Sequence, residues 1–341
     1  MIQTDSFKDK SVLITGACGT VGAELTRQVL LAGARLVVCV DNNETELFFL
    51  QETHKASGNV SCYLADIRDL ESLKQRMQGI DIVLHSAALK HVGLCEDSPS
   101  QAIRTNIEGT QNVIDAALEN KVKRVIFTSS DKAVNPTSVM GTAKLMGERL
   151  MTAASINNRK SDTIFASTRF GNVLGSRGSV LPLFRKQIEA GGPVTLTHRD
   201  MTRFIMTLRE AADLVLRSAF LAAGGEVFVT KMQIARIEDI ADYMVKKLAL
   251  GKDIEIAEIG VKPGEKMYEE LMNDEEVRRT FETDNFFVIL PALTTDYESR
   301  YPISSGCPKA KRPYSSAIEE GMRQSELEEY FEERDILEVS A

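Results

Sequence analysis

The stretch Ser11-Val-Leu-Ile-Thr15-Gly16-Ala-Cys18-Gly19-Thr20-Val21-Gly22 decides the fold. Its first five residues are a short apolar run that reads as a buried strand. The three glycines follow at once, then a helix from about Ala23 to Leu31, with Gly33 as its stop. Strand, glycine loop and helix in that order make a dinucleotide site. Gly16, Gly19 and Gly22, with Thr20 and Val21 between them, permit a tight turn and a close approach of backbone to a pyrophosphate at the helix N-terminus. The next apolar run, 35–40, ends in Asp41. An acidic group ~20 residues beyond the loop hydrogen-bonds the adenosine ribose 2′-OH. It repels a 2′-phosphate, and Asn42-Asn43 offers no arginine to offset that, so NAD is favoured over NADP.

The alternation continues outward. A strand near 61–64 leads to Asp66 and Ile67, placed to flank an adenine. Strand 81–85 leads to Ser86-Ala87-Ala88, small residues beside which a cofactor fits. A helix over 100–120 carries Asn106, and strand 124–128 follows. Repeated strand–helix units predict an α/β protein with a Rossmann-type doubly wound parallel sheet. Residues 1–170 are the NAD-binding domain, with core strands continuing to about 230. Residues 171–341 are mainly a smaller C-terminal substrate-binding lobe interleaved with that core.

Beyond strand 124–128 lies Thr128-Ser129-Ser130-Asp131-Lys132-Ala-Val-Asn-Pro136, then a helix from about Met140 with Lys144 one turn in. Chemistry in open α/β sheets collects beyond the carboxyl ends of strands, and here two hydroxyls, a carboxylate and an amine collect there. Helix caps use the same residue types, so the surrounding motifs must decide. A further strand over 162–169 runs into the glycine-rich loop 170–180. Thr202-Arg203-Phe204 and Lys262-Pro263-Gly264-Glu265-Lys266 add basic side chains in turns, which suit a diphosphate. The helix at about 324–334 reads as a solvated acidic face.

Totals narrow the function classes. The chain has 341 residues, 43% apolar and 26% charged, with a formal net charge of −8. That balance, without a basic stripe, argues against nucleic-acid binding. Five cysteines without a Cys-x-x-Cys pair read as reduced thiols, and four histidines lack metal-ligand spacing, so no metal is expected. No apolar run reaches the ~18 residues of a membrane span, and the first strand starts too early to leave room for a leader. The expectation is a cytoplasmic protein without membrane contact.

Together these motifs resemble the extended short-chain dehydrogenase/reductases and, more narrowly, the nucleotide-sugar 4,6-dehydratases of the polysaccharide biosynthesis protein family. The narrower likeness rests on His85-Ser-Ala-Ala-Leu-Lys-His91, Ser130-Asp-Lys-Ala-Val-Asn-Pro136 and Arg169-Phe-Gly-Asn-Val-Leu-Gly-Ser-Arg-Gly-Ser179. Those three mark the branch acting on UDP-N-acetylglucosamine, in a short form without the N-terminal membrane region of longer relatives. The resemblance implies oxidation at C4 on a retained NAD, loss of the C5 proton and the C6 hydroxyl, and reduction at C6. It implies substrate contacts from Lys90, His91, Asn172, Ser179, Val180, Arg203 and Glu265, and a homodimer or larger homo-oligomer formed through helices 100–120 and 140–156. Asp131 is assigned as the acid at C6 and Lys132 as the base at C5, which needs a lowered pKa; the reverse assignment is open. Lys144 is expected to hold the nicotinamide ribose and add positive potential. One departure stands out. The superfamily pattern Tyr-x-x-x-Lys reads here Met140-x-x-x-Lys144, and a thioether has no proton to exchange. The C4 hydroxyl proton is then left to Asp131, Ser129, Ser130 or water. Met at this position is familiar in configuration-retaining relatives and in some inverting ones.

Overall fold

The computed structural model describes residues 6–158, 161–261, 263–292 and 300–339. Six apolar runs form parallel strands: β1 (Ser11–Thr15), β2 (Leu36–Asp41), β3 (Val60–Leu64), β4 (Ile82–His85), β5 (Arg124–Ser130) and β6 (Ile164–Phe170). Every residue of β1 and β4 is buried, as strands covered by helices on both faces require. The order is β3-β2-β1-β4-β5-β6, with all neighbours parallel. The expected doubly wound α/β sheet is therefore present, and chain direction across it reverses between β1 and β4, where a crevice opens. The sheet continues through strand Val227–Thr230, parallel to β6, and then through antiparallel strands Phe286–Ile289 and Thr280–Glu282. It thus draws on residues later than 230, because the chain returns from the C-terminal lobe to cover the sheet edge.

Helices Thr20–Leu31 and Leu208–Leu221 cover one face through Leu25, Val29, Leu214 and Val215. Helices Leu70–Arg76, Gly109–Glu119 and Val139–Asn157 cover the other through Leu73, Val113, Ile114 and Met151. The expected single helix over 100–120 is interrupted: Pro99–Ala102 and Gly109–Glu119 flank a π-helical turn, Ile103–Glu108. Such a turn re-aims its side chains. Asn106 within it points inward, accepting from Leu89 N (2.8 Å) and donating to Leu89 O (2.9 Å).

A second core lies in the C-terminal lobe, where helices Val180–Glu189, Ile237–Leu248 and Gln324–Glu333 meet through Phe184, Ile240, Met244, Leu327 and Phe331. The acidic helix is thus more than a solvated face. It buries Leu327, Tyr330 and Phe331, and its Glu328 and Glu332 pair with Lys246 and Lys247. Arg169, at the end of β6, fastens this half to the sheet. Its guanidinium is fully buried and donates to Glu148, Glu276 and the Leu271 carbonyl at 2.6–3.0 Å.

Candidate active site

The glycine loop takes a shape only glycine permits. Gly16 has φ +66°, and a Cβ there would lie 2.7 Å from Ala87 Cα; at Gly22 it would lie 2.1 Å from Gly16 O. The loop therefore presses against the end of β4 and delivers the N-terminus of helix Thr20–Leu31, uncapped by any side chain, to the crevice. Asp41 is held at its rim, accepting from Cys18 N (2.9 Å) and Asn43 N (3.0 Å). Asp66 is gripped by Arg68 and Asn42; hydrogen bonds from Arg68 are the main reason its carboxyl falls to about 2.

These residues line one cavity of about 650 Å³. It gathers Gly16, Gly19, Thr20, Val21, Gly22, Asp41, Asp66, Ile67, Ala87 and Ala88 at one end and Ser129, Ser130, Asp131, Lys132, Met140 and Lys144 at the other. Lys90, His91, Asn172 and Ser179 also face it. Four expected site residues do not: Arg203 and Glu265 line an adjoining cavity, and Asn106 and Val180 line neither. Asn106 braces the backbone of Leu89 instead, and Val180 begins the helix that follows Ser179.

At the Asp131 end of the cavity, β5 stops at Ser130 and a single 3-10 turn, Asp131–Ala133, carries a carboxylate and an amine. Ser130 caps that turn by accepting from Lys132 N (3.0 Å). Asp131 is buried, and its Oδ1 accepts from Ser130 Oγ (3.0 Å), Lys132 N (2.9 Å) and Lys132 Nζ (3.0 Å). Asp131 Oδ2 and Ser129 Oγ are buried with no protein partner, which leaves both for a ligand. Burial pulls the Lys132 ammonium down, but Asp131 and then Glu269 outweigh it, and the net shift is upward. The lowered value expected of a C5 base is absent here, because two carboxylates surround the amine. Ser138 caps helix Val139–Asn157 through Gly141 N, placing Met140 in the cavity wall against Cys95 and Ala102. One turn later Lys144 donates to Thr128 O (2.8 Å). Burial brings its ammonium down to about 8, which still leaves it mostly charged at neutral pH.

A smaller cavity of about 150 Å³ adjoins through Lys132 and Asn172, and Arg203, Gly264, Glu265, Lys266 and Glu269 line its far side. Arg203 is largely occupied by its own surroundings, donating to the carbonyls of Thr202 and Lys266 at 2.8 Å. Lys266 reaches the Val134 carbonyl (2.7 Å) and Glu265 accepts from Thr197 Oγ1 (3.2 Å). Phe204 is a core residue stacked near Tyr314. Lys262 lies outside the described residues.

Two residues that line these cavities, Arg177 and Glu269, were not among the expected site residues. Arg177 spans the glycine loop: its backbone N–H donates to Thr20 Oγ1 (3.2 Å), its guanidinium meets Cys18 O (2.8 Å) and Glu46 (2.7 Å), and its carbonyl accepts from Lys90 Nζ (2.6 Å). Glu269 is buried 3.5 Å from Lys132 Nζ. Its only sequence signal is its place three residues after Lys266, and adjacent Glu270 dilutes even that. Among the described residues, no group of three or more His, Cys, Asp or Glu is arranged to hold a metal, and no helix is long and apolar enough to cross a membrane.

Comparison with known proteins bears on the same span. The family model described as "Polysaccharide biosynthesis protein" matches residues 12–291. The chain is 47% identical over 290 residues to an uncharacterized membrane protein, MJ1061, of Methanocaldococcus jannaschii, covering 84% of this chain and 87% of that one. It is 36% identical to a UDP-N-acetylglucosamine 4,6-dehydratase (inverting) of Campylobacter jejuni, over 88% of each chain. A UDP-glucose 4-epimerase of Rickettsia massiliae aligns at 37% over 83% of each. Two longer curated relatives are spanned over only 46% and 47% of their length. The X-ray structure of Pen from Bacillus thuringiensis superposes with a TM-score of 0.90 at 40% identity, covering 97% of this chain and 99% of that one.

Proposed function

This chain belongs to the polysaccharide biosynthesis protein family, and on that premise we propose that it is an NAD-dependent nucleotide-sugar 4,6-dehydratase. Its substrate is UDP-N-acetylglucosamine, its product a UDP-4-keto-6-deoxy-N-acetylhexosamine, and its place the cytoplasm. One observation carries the reading: the buried Asp131–Lys132 pair shares a cavity with the glycine loop and Asp41 while the tyrosine position holds Met140. NAD fits this chain. The glycine cradle leaves no room for a Cβ, the helix N-terminus behind it is uncapped, and Asp41 stands at the rim. Bound there, NAD would supply reversible oxidation and reduction of the sugar. The glycine loop, Asp41, Ala87, Ala88 and Lys144 hold it.

The chain's own residues manage the protons. A 4-keto group acidifies the C5 proton, and Lys132, once its ammonium has lost a proton, removes it. Asp131, holding a proton on the Oδ2 that no protein group occupies, gives it to the departing C6 hydroxyl, which leaves as water. The C4 hydroxyl proton released on oxidation goes to the open Asp131 Oδ2, and the Lys132 ammonium gives its own proton to water and regains one after C5 is reprotonated. Acid and base of opposite character side by side serve an elimination. Ser129 Oγ, buried and unpartnered, is placed to receive the C4 hydroxyl. Lys132 removing and returning the C5 proton from one side keeps the configuration at C5.

Incubation with UDP-N-acetylglucosamine and NAD in D2O tests the reading. We expect a 4-keto-6-deoxy product with deuterium at C5 and retained configuration by NMR. A C4 epimer without a 4-keto-6-deoxy product rejects dehydration, a 4-keto-6-deoxy product without deuterium at C5 rejects exchange of the Lys132 proton with solvent, and a C5-inverted product rejects the stereochemical part. Tight UDP-sugar binding without turnover marks a non-catalytic NAD-binding protein.

A further inference from the structure

Glu269 is a buried acid without an evident structural task. It precedes the short strand Glu270–Met272, and its backbone alone anchors it, through Glu269 N to Ser316 Oγ and Ser316 N to Glu269 O, both 2.9 Å. The carboxyl group contributes nothing to that anchor. Its Oε1 lies 3.5 Å from Lys132 Nζ and 3.8 Å from Arg203 Nε, and its Oε2 is buried with no protein partner. A glutamine in this place would avoid burying a charge, which is costly unless compensated. The carboxylate faces the small cavity that Lys132 and Asn172 share with the large one.

We propose that Glu269 is a positioning residue for the elimination: its carboxylate holds the Lys132 nitrogen between two acids and governs when that nitrogen gives up its proton. With Glu269 present, Lys132 Nζ is drawn toward both carboxylates. Without it, the ammonium has only Asp131, whose Oδ1 already accepts from Ser130 and from the Lys132 backbone, and the pair closes on itself. The charged groups around the cluster are Asp131 and Lys132 on the 3-10 turn, Arg203 on strand Thr202–Met206, and Lys266 on the loop before Glu269. Burial first, and Asp131 second, push the Glu269 carboxyl up, so it also stands ready to share the Lys132 proton.

The catalytic consequence rests on the dehydratase reading, but the effect on Lys132 does not. Full-length protein labelled with ε-13C-lysine gives a titration of Lys132, assigned by its loss in Lys132→Arg. We expect the Lys132 midpoint to fall by about one pH unit or more in Glu269→Gln, as loss of a neighbouring opposite charge dictates. In Glu269→Asp, which withdraws the charge by one methylene, it should fall by less. The rising limb of kcat against pH should move down in parallel, with KM for UDP-N-acetylglucosamine changed less than about threefold. If Glu269→Gln does not fold, Glu269→Asp decides alone. A Lys132 midpoint equal to wild type in the variants that fold, or a change confined to KM, overturns the proposal. Wild-type protein that forms no keto sugar rejects the dehydratase and leaves the Lys132 midpoint to judge Glu269.

Discussion

Met140 stands where the Tyr-x-x-x-Lys pattern that the sequence resembles would place a tyrosine. Its side chain fills the cavity wall against Cys95 and Ala102, four residues before Lys144. If it fills space and exchanges no proton, an apolar side chain of similar volume should serve as well. We expect Met140→Leu to keep kcat within about threefold of wild type, since volume-conserving swaps are tolerated. A loss of two orders of magnitude at unchanged KM would mean the sulfur takes part in the reaction. The reactive cluster was only half legible before the fold. Asp131 and Lys132 stand out because they are adjacent in sequence and follow a strand, a local pattern. Glu269 reaches them from 137 positions away in the chain through Ser316 and the return of the C-terminal lobe, and no spacing rule reports that. The upward shift of Lys132 comes first from its neighbour Asp131 and then from Glu269, and only tertiary packing brings the second carboxylate near.

At the level of elements, the glycine loop, Asp41 and β1–β6 were readable because period and turn chemistry are local. The role of Arg169 was not. It opens a run that looks like a ligand loop, yet its guanidinium turns inward to join β6 to helix Val139–Asn157 through Glu148 and to helix Asp274–Val277 through Glu276. Removing one partner of a buried network leaves uncompensated charge. Arg169→Met should therefore lower unfolding free energy by about 3–5 kcal/mol, seen as a lower urea midpoint at unchanged slope. Acid dependence carries a sign of its own. Burial raises the Glu276 carboxyl, but Arg169 outweighs it and holds it below its ordinary value of 4.5. The folded state thus resists taking up that proton. The contribution is complete above pH 4.5 and is lost as pH falls further. Arg169→Met should show a flatter acid limb than wild type; parallel limbs would place the effect elsewhere.

Taken whole, the molecule exposes single apolar side chains on the segments packed around helix Val139–Asn157. Leu94 (67% exposed), Ile103 (46%) and Met146 (44%) sit on segments Val92–Asp97, Ile103–Glu108 and Val139–Asn157, the first two of which pack against the third. Helix Val139–Asn157 has two duties. Its inner side presents Met140 and Lys144 to the cavity, and its outer side carries Met146. The π turn at Ile103–Glu108 holds Asn106 inward against Leu89 while Ile103 faces out. Apolar side chains gathered over packed helices mark an interface more often than a solvated face, and a two-fold pairing of identical patches is the commonest closure. We expect light scattering to give twice the 37.7 kDa chain mass. The double variant Ile103→Glu, Met146→Glu should give the single-chain mass, because two buried carboxylates per patch oppose association. It should also lose turnover, since the helix presenting Met140 and Lys144 would lose its outer support. A wild-type mass of one chain at micromolar concentration rejects the pairing. A dissociated variant with full kcat would mean the inner side of the helix is held by the sheet alone.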